Sequence, residues 1–291
     1  MFEIGGNALR VMREDDLASL YVDVQGDGTV ILPSWLDCYI FSELKASYCK
    51  ECKDLVVLDW GHREVLKYLG TYFPRSFAES YTVFRKLIKR RPDCVPYSED
   101  IAVFDFGCGT GGELLGMILA LKASRPTIKR VRIKALDGNM HALRLLEQLL
   151  RRLSEEIKTE ITIEPLAIAI DDFYDLHAID RVVCDAYDFA MVSKAVCEFV
   201  TRQQLEENNP YIHIAKFLIS KLTEKGILYL SDITTYNSEA QEWLSVLVDE
   251  ALAQLECDVV LSSSGYCEVF KVSHSARSQD LSKITWRILR K

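Results

Sequence analysis

Apolar and polar positions fall into two textures along the chain, and these meet near residue 97. Before that point apolar residues recur at helical spacing over residues 36–48, 62–71 and 76–89, the last with Phe77, Tyr81, Phe84 and Leu87/Ile88 on one face. Ahead of them, residues 20–24 and 29–32 flank Gly26-Asp27-Gly28, which predicts a hairpin. The helical run is broken by Pro92 and Pro96, since proline removes a donor and clashes with the preceding turn. Residues 1–97 are therefore expected to form a mainly helical cap, and residues 98–291 a second domain.

From residue 98 short apolar strands alternate with amphipathic helices. Strands are predicted over residues 101–106, 131–136, 161–170, 181–184 and 226–231, and helices over 113–124 and 140–157. In the longer helix Met140, Leu143, Leu146, Leu149/Leu150 and Leu153 share a face. Such alternation predicts an α/β fold, a doubly wound and mostly parallel sheet with helices on both faces. The stretches 259–261, 268–272 and 284–289 are β-like, with no long helix between the last two, which permits a closing antiparallel pair.

Charge and cysteine usage narrow the classes. The 291 residues carry 35 Lys plus Arg against 43 Asp plus Glu, a formal charge of -8, so general coating of nucleic acid is not expected. The 9 cysteines show no regular spacing, and the first residues lack the basic-then-apolar pattern of a secretory signal; both point to a reducing cytoplasm. The longest apolar runs fall well short of the ~20 residues that cross a bilayer, so no membrane partner is expected.

The strongest chemical signal is Val103-Phe104-Asp105-Phe106-Gly107-Cys108-Gly109-Thr110-Gly111-Gly112-Glu113, an apolar strand that ends in an acid and runs through glycines into a helix. Glycines let the backbone turn sharply and let a ligand approach where a Cβ would collide. Asp137 stands 26 residues after Gly111, directly behind the next strand; an acid there accepts hydrogen bonds from ribose hydroxyls.

This segment resembles the class I S-adenosyl-L-methionine-dependent methyltransferases, whose first motif is an acid two residues before a G-x-G-x-G loop. The resemblance covers about residues 100–291 and implies the Rossmann-like methyltransferase fold with S-adenosylmethionine as cofactor. It implies that Asp105 orients the methionine ammonium, that Gly107, Cys108, Gly109 and Gly111 line the methionine and ribose, and that Asp137 with Gly138 holds the ribose. Asp171, Asp172 and Phe173 would meet the adenine, and Asp185, at the tip of a fourth strand, would face the methionine end and the acceptor. Gly107, Gly109 and Gly112 also satisfy G-x-G-x-x-G, which keeps a nicotinamide or flavin dinucleotide as an alternative, alongside a scaffold that has lost its ligand. In addition, Tyr68-Leu69, Pro74 and Ser76-Phe77-Ala78 resemble the helices ahead of the first motif in a methyltransferase-like family that assembles the mitochondrial small ribosomal subunit. That resemblance implies RNA or a ribosome as partner; its members carry cysteines for an iron–sulfur cluster, whereas Cys257 and Cys267 here form no tight ligand set.

Methyl transfer is an in-line displacement, so an enzyme must mainly align acceptor and donor. Asp185, Tyr187 and Asp188 are the candidates for acceptor contact, with a solvated loop acid or helix cap as the other reading of Asp188. The loop lacks the Asn/Asp-Pro-Pro-aromatic sequence used on planar amino groups and the proline-cysteine of cytosine carbon-5 enzymes. Arg75 could reach the donor carboxylate or pair with Glu79 on its own helix. His62 is the histidine to test as a base, and no histidines are spaced as metal ligands. Cys49 and Cys52 make at best half of a zinc site, so no metal is expected. The basic run Arg85, Lys86, Lys89, Arg90 and Arg91 reads as a solvated face or a phosphate track. The acidic balance and the aromatic cap favour a small planar acceptor held between cap and catalytic domain; RNA or a ribosome is the alternative.

Overall fold

A computed structural model describes residues 21–49, 58–184, 186–200, 209–233, 236–237, 242–263 and 266–291. The first elements are β1 (Val30–Ile31), the short helix α1 (Ser34–Asp37), a π-helical turn over Cys38–Glu43, and the long helix α2 (His62–Arg90). The β2 strand (Asp100–Phe106) leads to α3 (Gly112–Ser124), β3 (Arg130–Asp137), α4 (Met140–Ile157) and β4 (Glu160–Ala167). The chain continues through α5 (His177–Val182), β5 (Tyr187–Ser193), α6 (Val196–Phe199), α7 (Pro210–Ser220) and β6 (Leu222–Ile233). It ends with β7 (Tyr236–Asn237), β8 (Glu242–Trp243), α8 (Leu244–Leu252), β9 (Asp258–Ser262), β10 (Glu268–His274) and β11 (Arg277–Arg290).

The main sheet runs β1-β10-β11-β6-β5-β2-β3-β4, with β9 also pairing β11, while β7 and β8 pair apart. Strands β4, β3, β2, β5 and β6 are parallel neighbours. β11 enters antiparallel to β6 and turns back on β10, so the expected closing antiparallel pair is present. This is the mixed α/β architecture with a mostly parallel sheet. From β2 the chain winds outward to β3 and β4, then returns to lay β5 on the other side of β2. The order reverses between β2 and β5, and their carboxyl ends open the crevice where such sheets take ligands.

Alternation along the central strands builds a core on each face. Val103, Phe189, Met191 and Tyr229 pack with α2, α3 and α4 residues, whereas Phe104, Phe106, Ala190, Val192, Leu228 and Leu230 pack with α7. The first of these cores draws residues from both sides of residue 97, among them Leu69, Phe73 and Phe77 before it and Leu114, Leu115 and Ile118 after it.

Three local expectations change. Residues 62–71 and 76–89 belong to a single helix that passes through Pro74, because Leu69, Phe73, Phe77, Tyr81 and Phe84 keep one buried line across the proline. Residues 181–184 are not a strand: Arg181 and Val182 close α5, and the strand that pairs β2 starts at Tyr187. The buried run Phe189-Ala190-Met191-Val192 is what a strand covered on both faces requires. Of residues 36–48, expected as one helix, 36–43 lie in α1 and the π-helical turn and 44–48 are in no helix. Around Gly26–Gly28 the hairpin survives as the bridge Val24–Val30, and Val30 and Ile31 also join β10 in parallel.

Candidate functional site

At the carboxyl end of β2 the chain enters the left-handed region three times, with φ of 70° at Gly107, 49° at Gly109 and 76° at Gly111. Gly111 caps α3, and a Cβ there would lie 2.3 Å from Leu146 Cδ1; at Gly112 it would lie 2.6 Å from the Phe73 carbonyl oxygen. The glycines thus serve two ends, a turn no other residue adopts cheaply and the close approach of α2 to α3.

Acids line this turn. Asp105 is wholly buried, and neither carboxylate oxygen has a hydrogen-bond partner among the described residues. Burial pushes its carboxyl well above the usual range, and the nearby Glu113 and Asp137 add to the rise. Burial also pushes Glu113 up to about 7, with Glu79 and Asp137 adding to it against its main-chain hydrogen bond and Lys194. Asp137 accepts from Gly109 N at 2.8 Å and from Asn139 N at 2.7 Å, while burial outweighs these bonds and raises its carboxyl too. Asn139 in turn caps α4 through His141 N and Ala142 N and donates to the Trp60 carbonyl at 3.0 Å. The loop, Asp137, Asn139 and Trp60, just ahead of α2, are therefore one hydrogen-bonded unit.

Tyr68 of α2 lies over the loop, its hydroxyl 3.4 Å from where a Gly109 Cβ would stand. Burial holds the Tyr68 phenol well above its ordinary value, and the negative charges of Glu198, Glu113 and Asp137 push it further. Gly138 touches Leu58 from the same side, where a Cβ would lie 2.1 Å from Leu58 Cδ2. Cys108 is buried and its thiol is pushed well up, first by burial and then by the same acids, which leaves it a poor nucleophile.

The structure does not bring every candidate here. Tyr187 and Asp188 open β5 at its amino end, across the sheet from the glycine loop. Tyr187 N donates to the Lys221 carbonyl at 2.9 Å and Asp188 Oδ2 accepts from Ala102 N at 2.9 Å, so both sit in sheet connections. Burial raises the Asp188 carboxyl. Asp185 lies outside the described residues, and the strand whose tip it was expected to form begins after it. The displacement follows from the strand itself: the tip of β5 is Ser193, not residue 184. Asp171 and Asp172 are exposed, Asp172 Oδ1 capping a turn through Tyr174 N at 2.9 Å. Phe173 is buried with its ring edge-on to Phe106, 6.5 Å between centroids. Arg75 pairs not with Glu79 but with Asp280, through bonds of 2.8 and 2.9 Å, and holds that carboxyl down at about 2 together with His274 and Arg277 against its burial.

Lys194 is the residue that sequence reasoning missed. It follows Ser193 with φ 54°, and its ammonium donates to Ser76 Oγ at 2.7 Å and Glu79 Oε2 at 2.8 Å. Glu79, 1% exposed, also accepts from Ser282 Oγ. A lysine ending the apolar run 189–192 was the available signal, obscured by ending the strand too early. Lys194 places one cation at the switch point across from the acids.

The other candidates stand apart. His62 is exposed at the start of α2, its ring 6.2 Å from that of His141. Cys49 is described and Cys52 is not; among the described residues no group of His, Cys, Asp or Glu could hold a metal. In the basic run Lys86 pairs with Glu268, Arg91 with Asp93 at 3.2 Å, and Arg85 lies over the Tyr81 ring. Among the described residues no helix is long and apolar enough to cross a membrane.

No family model and no curated protein matches the chain. Among solved structures it is similar to precorrin-6y C5,15-methyltransferase from Geobacter metallireducens, with 12% identity over 73% of this chain and 87% of that one, TM-score 0.43. It is similar to a provisionally assigned RNA methyltransferase from Pyrococcus horikoshii at 11% identity over 88% and 96%, TM-score 0.42. It is also similar to NSun6 from Pyrococcus horikoshii, solved with SFG, at 17% identity over 73% of this chain and 51% of that one, TM-score 0.44.

Proposed function

We propose that this chain is a methyltransferase whose donor is S-adenosylmethionine, seated on the loop from Asp105 to Gly111. The observation that carries this reading is the sign of the charge around the loop. A buried carboxyl with no partner among the described residues, with Glu113 and Asp137 beside it, gives a pyrophosphate no cation to meet, whereas a cationic ligand would draw these acids into their charged form. A dinucleotide would put two negative charges at that point, whereas a sulfonium donor brings an ammonium and a positive sulfur. The same argument disfavours the nicotinamide and flavin alternatives.

When bound, S-adenosylmethionine supplies a methyl group on a positively charged sulfur, with a neutral thioether as leaving group. Asp105 receives the ammonium of the methionine end. Lys194 and Ser76, already bonded to each other, lie at the switch point and present the cation and hydroxyl that a methionine carboxylate requires. Asp137 keeps its orientation through Gly109 N and Asn139 N and offers its remaining lone pairs to ribose hydroxyls. Tyr68 and Leu58 shield the loop from water. Residues 1–97 act as the cap that closes the acceptor pocket, and residues 98–291 as the donor domain.

The acceptor in this reading is a small molecule held between cap and donor domain. A ribosomal or RNA acceptor is the second reading, favoured by the pattern at Tyr68, Pro74 and Ser76. Calorimetry with S-adenosylhomocysteine tests the donor: binding is expected in the micromolar range, and no heat at millimolar ligand removes the proposal. Labelled methyl donor with fractionated extract then shows whether label enters small molecules, RNA or protein.

A further inference from the structure

Helix α2 carries two rows of aromatic side chains. Phe73, Phe77, Tyr81 and Phe84 are fully buried against the sheet and α3. Tyr68 and Tyr72 lie on a second row that is only half-buried. This row is continuous with its surroundings. The Trp60 ring meets Tyr68 at 5.9 Å, and Tyr68 meets Tyr72 at 4.9 Å. The Arg75 guanidinium lies 5.7 Å from the centre of the Tyr72 ring and 5.9 Å from that of Tyr48, and the Arg277 guanidinium lies 5.0 Å from the centre of the same Tyr48 ring. The row starts over Gly109 and ends on the β10–β11 hairpin. Its charge also changes along its length: acids surround Tyr68, whereas at the far end two guanidinium groups share the carboxylate of Asp280.

We infer that this row is the acceptor platform, and that it takes a planar heteroaromatic ring carrying an anionic group, which is the chemistry of a nucleotide. This rests on the donor reading above. The ring stacks on Tyr68 and Tyr72, beside the donor loop, and the anion goes to the Arg75 and Arg277 end, where the local balance is positive. Stacking on tyrosine tolerates any base, and guanidinium groups interleaved with aromatics are the pattern that holds a nucleotide strand. Lys194, the cation at the switch point, is engaged with Glu79 and is assigned above to the donor, so the ring and not the phosphate sits at the methyl end. The same chemistry is offered by a free nucleotide and by one residue of a single-stranded RNA.

The test uses the full chain, without donor, and two probes: uridine 5′-monophosphate by calorimetry and a labelled oligouridylate of about twelve nucleotides by fluorescence anisotropy. Uridine is used because an adenine ring also belongs to the proposed donor. Both probes are expected to bind. Tyr72→Leu should weaken them about tenfold, as loss of one stacking face does, while Tyr72→Phe keeps the affinity. Arg277→Gln, on the hairpin and away from the helix core, should weaken both and flatten the salt dependence. An oligouridylate that binds far tighter than the mononucleotide assigns the platform to single-stranded RNA; equal affinities assign it to free nucleotides. No binding of either probe, or equal losses in Tyr72→Leu and Tyr72→Phe, overturns the inference. S-adenosylhomocysteine affinity is read on the same proteins, so its absence beside intact uridylate binding counts against the donor alone.

Discussion

The two edges of the central sheet use the same residue type to opposite ends. At the amino edge Asp188 accepts a main-chain N–H from Ala102, Asp100 lies 3.4 Å from both Arg130 and Arg132, and Glu160 lies 3.5 Å from Arg130. Each carboxylate there is matched locally, mostly in water, and holds strands together. At the carboxyl edge Asp105 is buried with no partner among the described residues, Glu113 is pushed up to about 7, and the cation at hand, Lys194, is engaged with Glu79. Unmatched charge is costly to bury. A fold keeps it where a ligand supplies the missing partner, so the carboxyl edge is a site and the amino edge is a scaffold.

Four experiments would sharpen or break this contrast. The largest effect is expected for Lys194→Met, which leaves Glu79 buried without its cation; removing one partner of a buried pair costs about 3–5 kcal/mol. Urea unfolding should show that loss, and Glu79→Gln added to Lys194→Met should recover most of it. If Lys194→Met is neutral, the ammonium is not fixed at the switch point.

Next comes pH. Glu113 stands at about 7 folded, against a usual 4.5, so between those values the folded chain holds a proton that the unfolded chain has released. Its contribution is most favourable below the unfolded value and is lost as pH rises through the folded one, by up to about 3 kcal/mol. Denaturant midpoints measured from pH 4.5 to 8 should fall on this account, and Glu113→Gln should flatten the slope. Binding of S-adenosylmethionine should strengthen over the same interval, because Glu113 gains its charge; parallel slopes would contradict a cationic ligand.

Asp105→Asn removes the acid that a bound ammonium would draw into its charged form and should weaken S-adenosylhomocysteine by about 2 kcal/mol, the value of a charge-assisted hydrogen bond. Its melting temperature should not fall. A variant that loses stability and keeps affinity would make Asp105 structural. Asp188→Asn should change donor affinity by no more than about 0.5 kcal/mol, as a substitution away from the site does. A tenfold loss of affinity in that variant would erase the distinction between the edges.

Much of the fold was legible because its signals are local. The apolar run before Asp105, the glycines after it and the amphipathic pattern from Met140 to Leu153 each fit only one kind of element. β5 was misplaced because strands buried on both faces have no alternation to mark their ends, and Arg181-Val182-Val183-Cys184 imitates a short one. The error moved the expected acceptor residues to the wrong end of a strand.

From its sequence alone this protein is an alternating α/β chain with an acid-and-glycine turn, since propensity and steric freedom belong to neighbouring residues. Only the tertiary structure decided which charges meet. Arg75 and Asp280 are 205 positions apart and Lys194 and Glu79 are 115 apart, and no local pattern reports pairings set by the sheet's order. The same packing gave Asp105 its isolation, because desolvation is a property of everything that surrounds a carboxylate, not of the residues beside it in the chain.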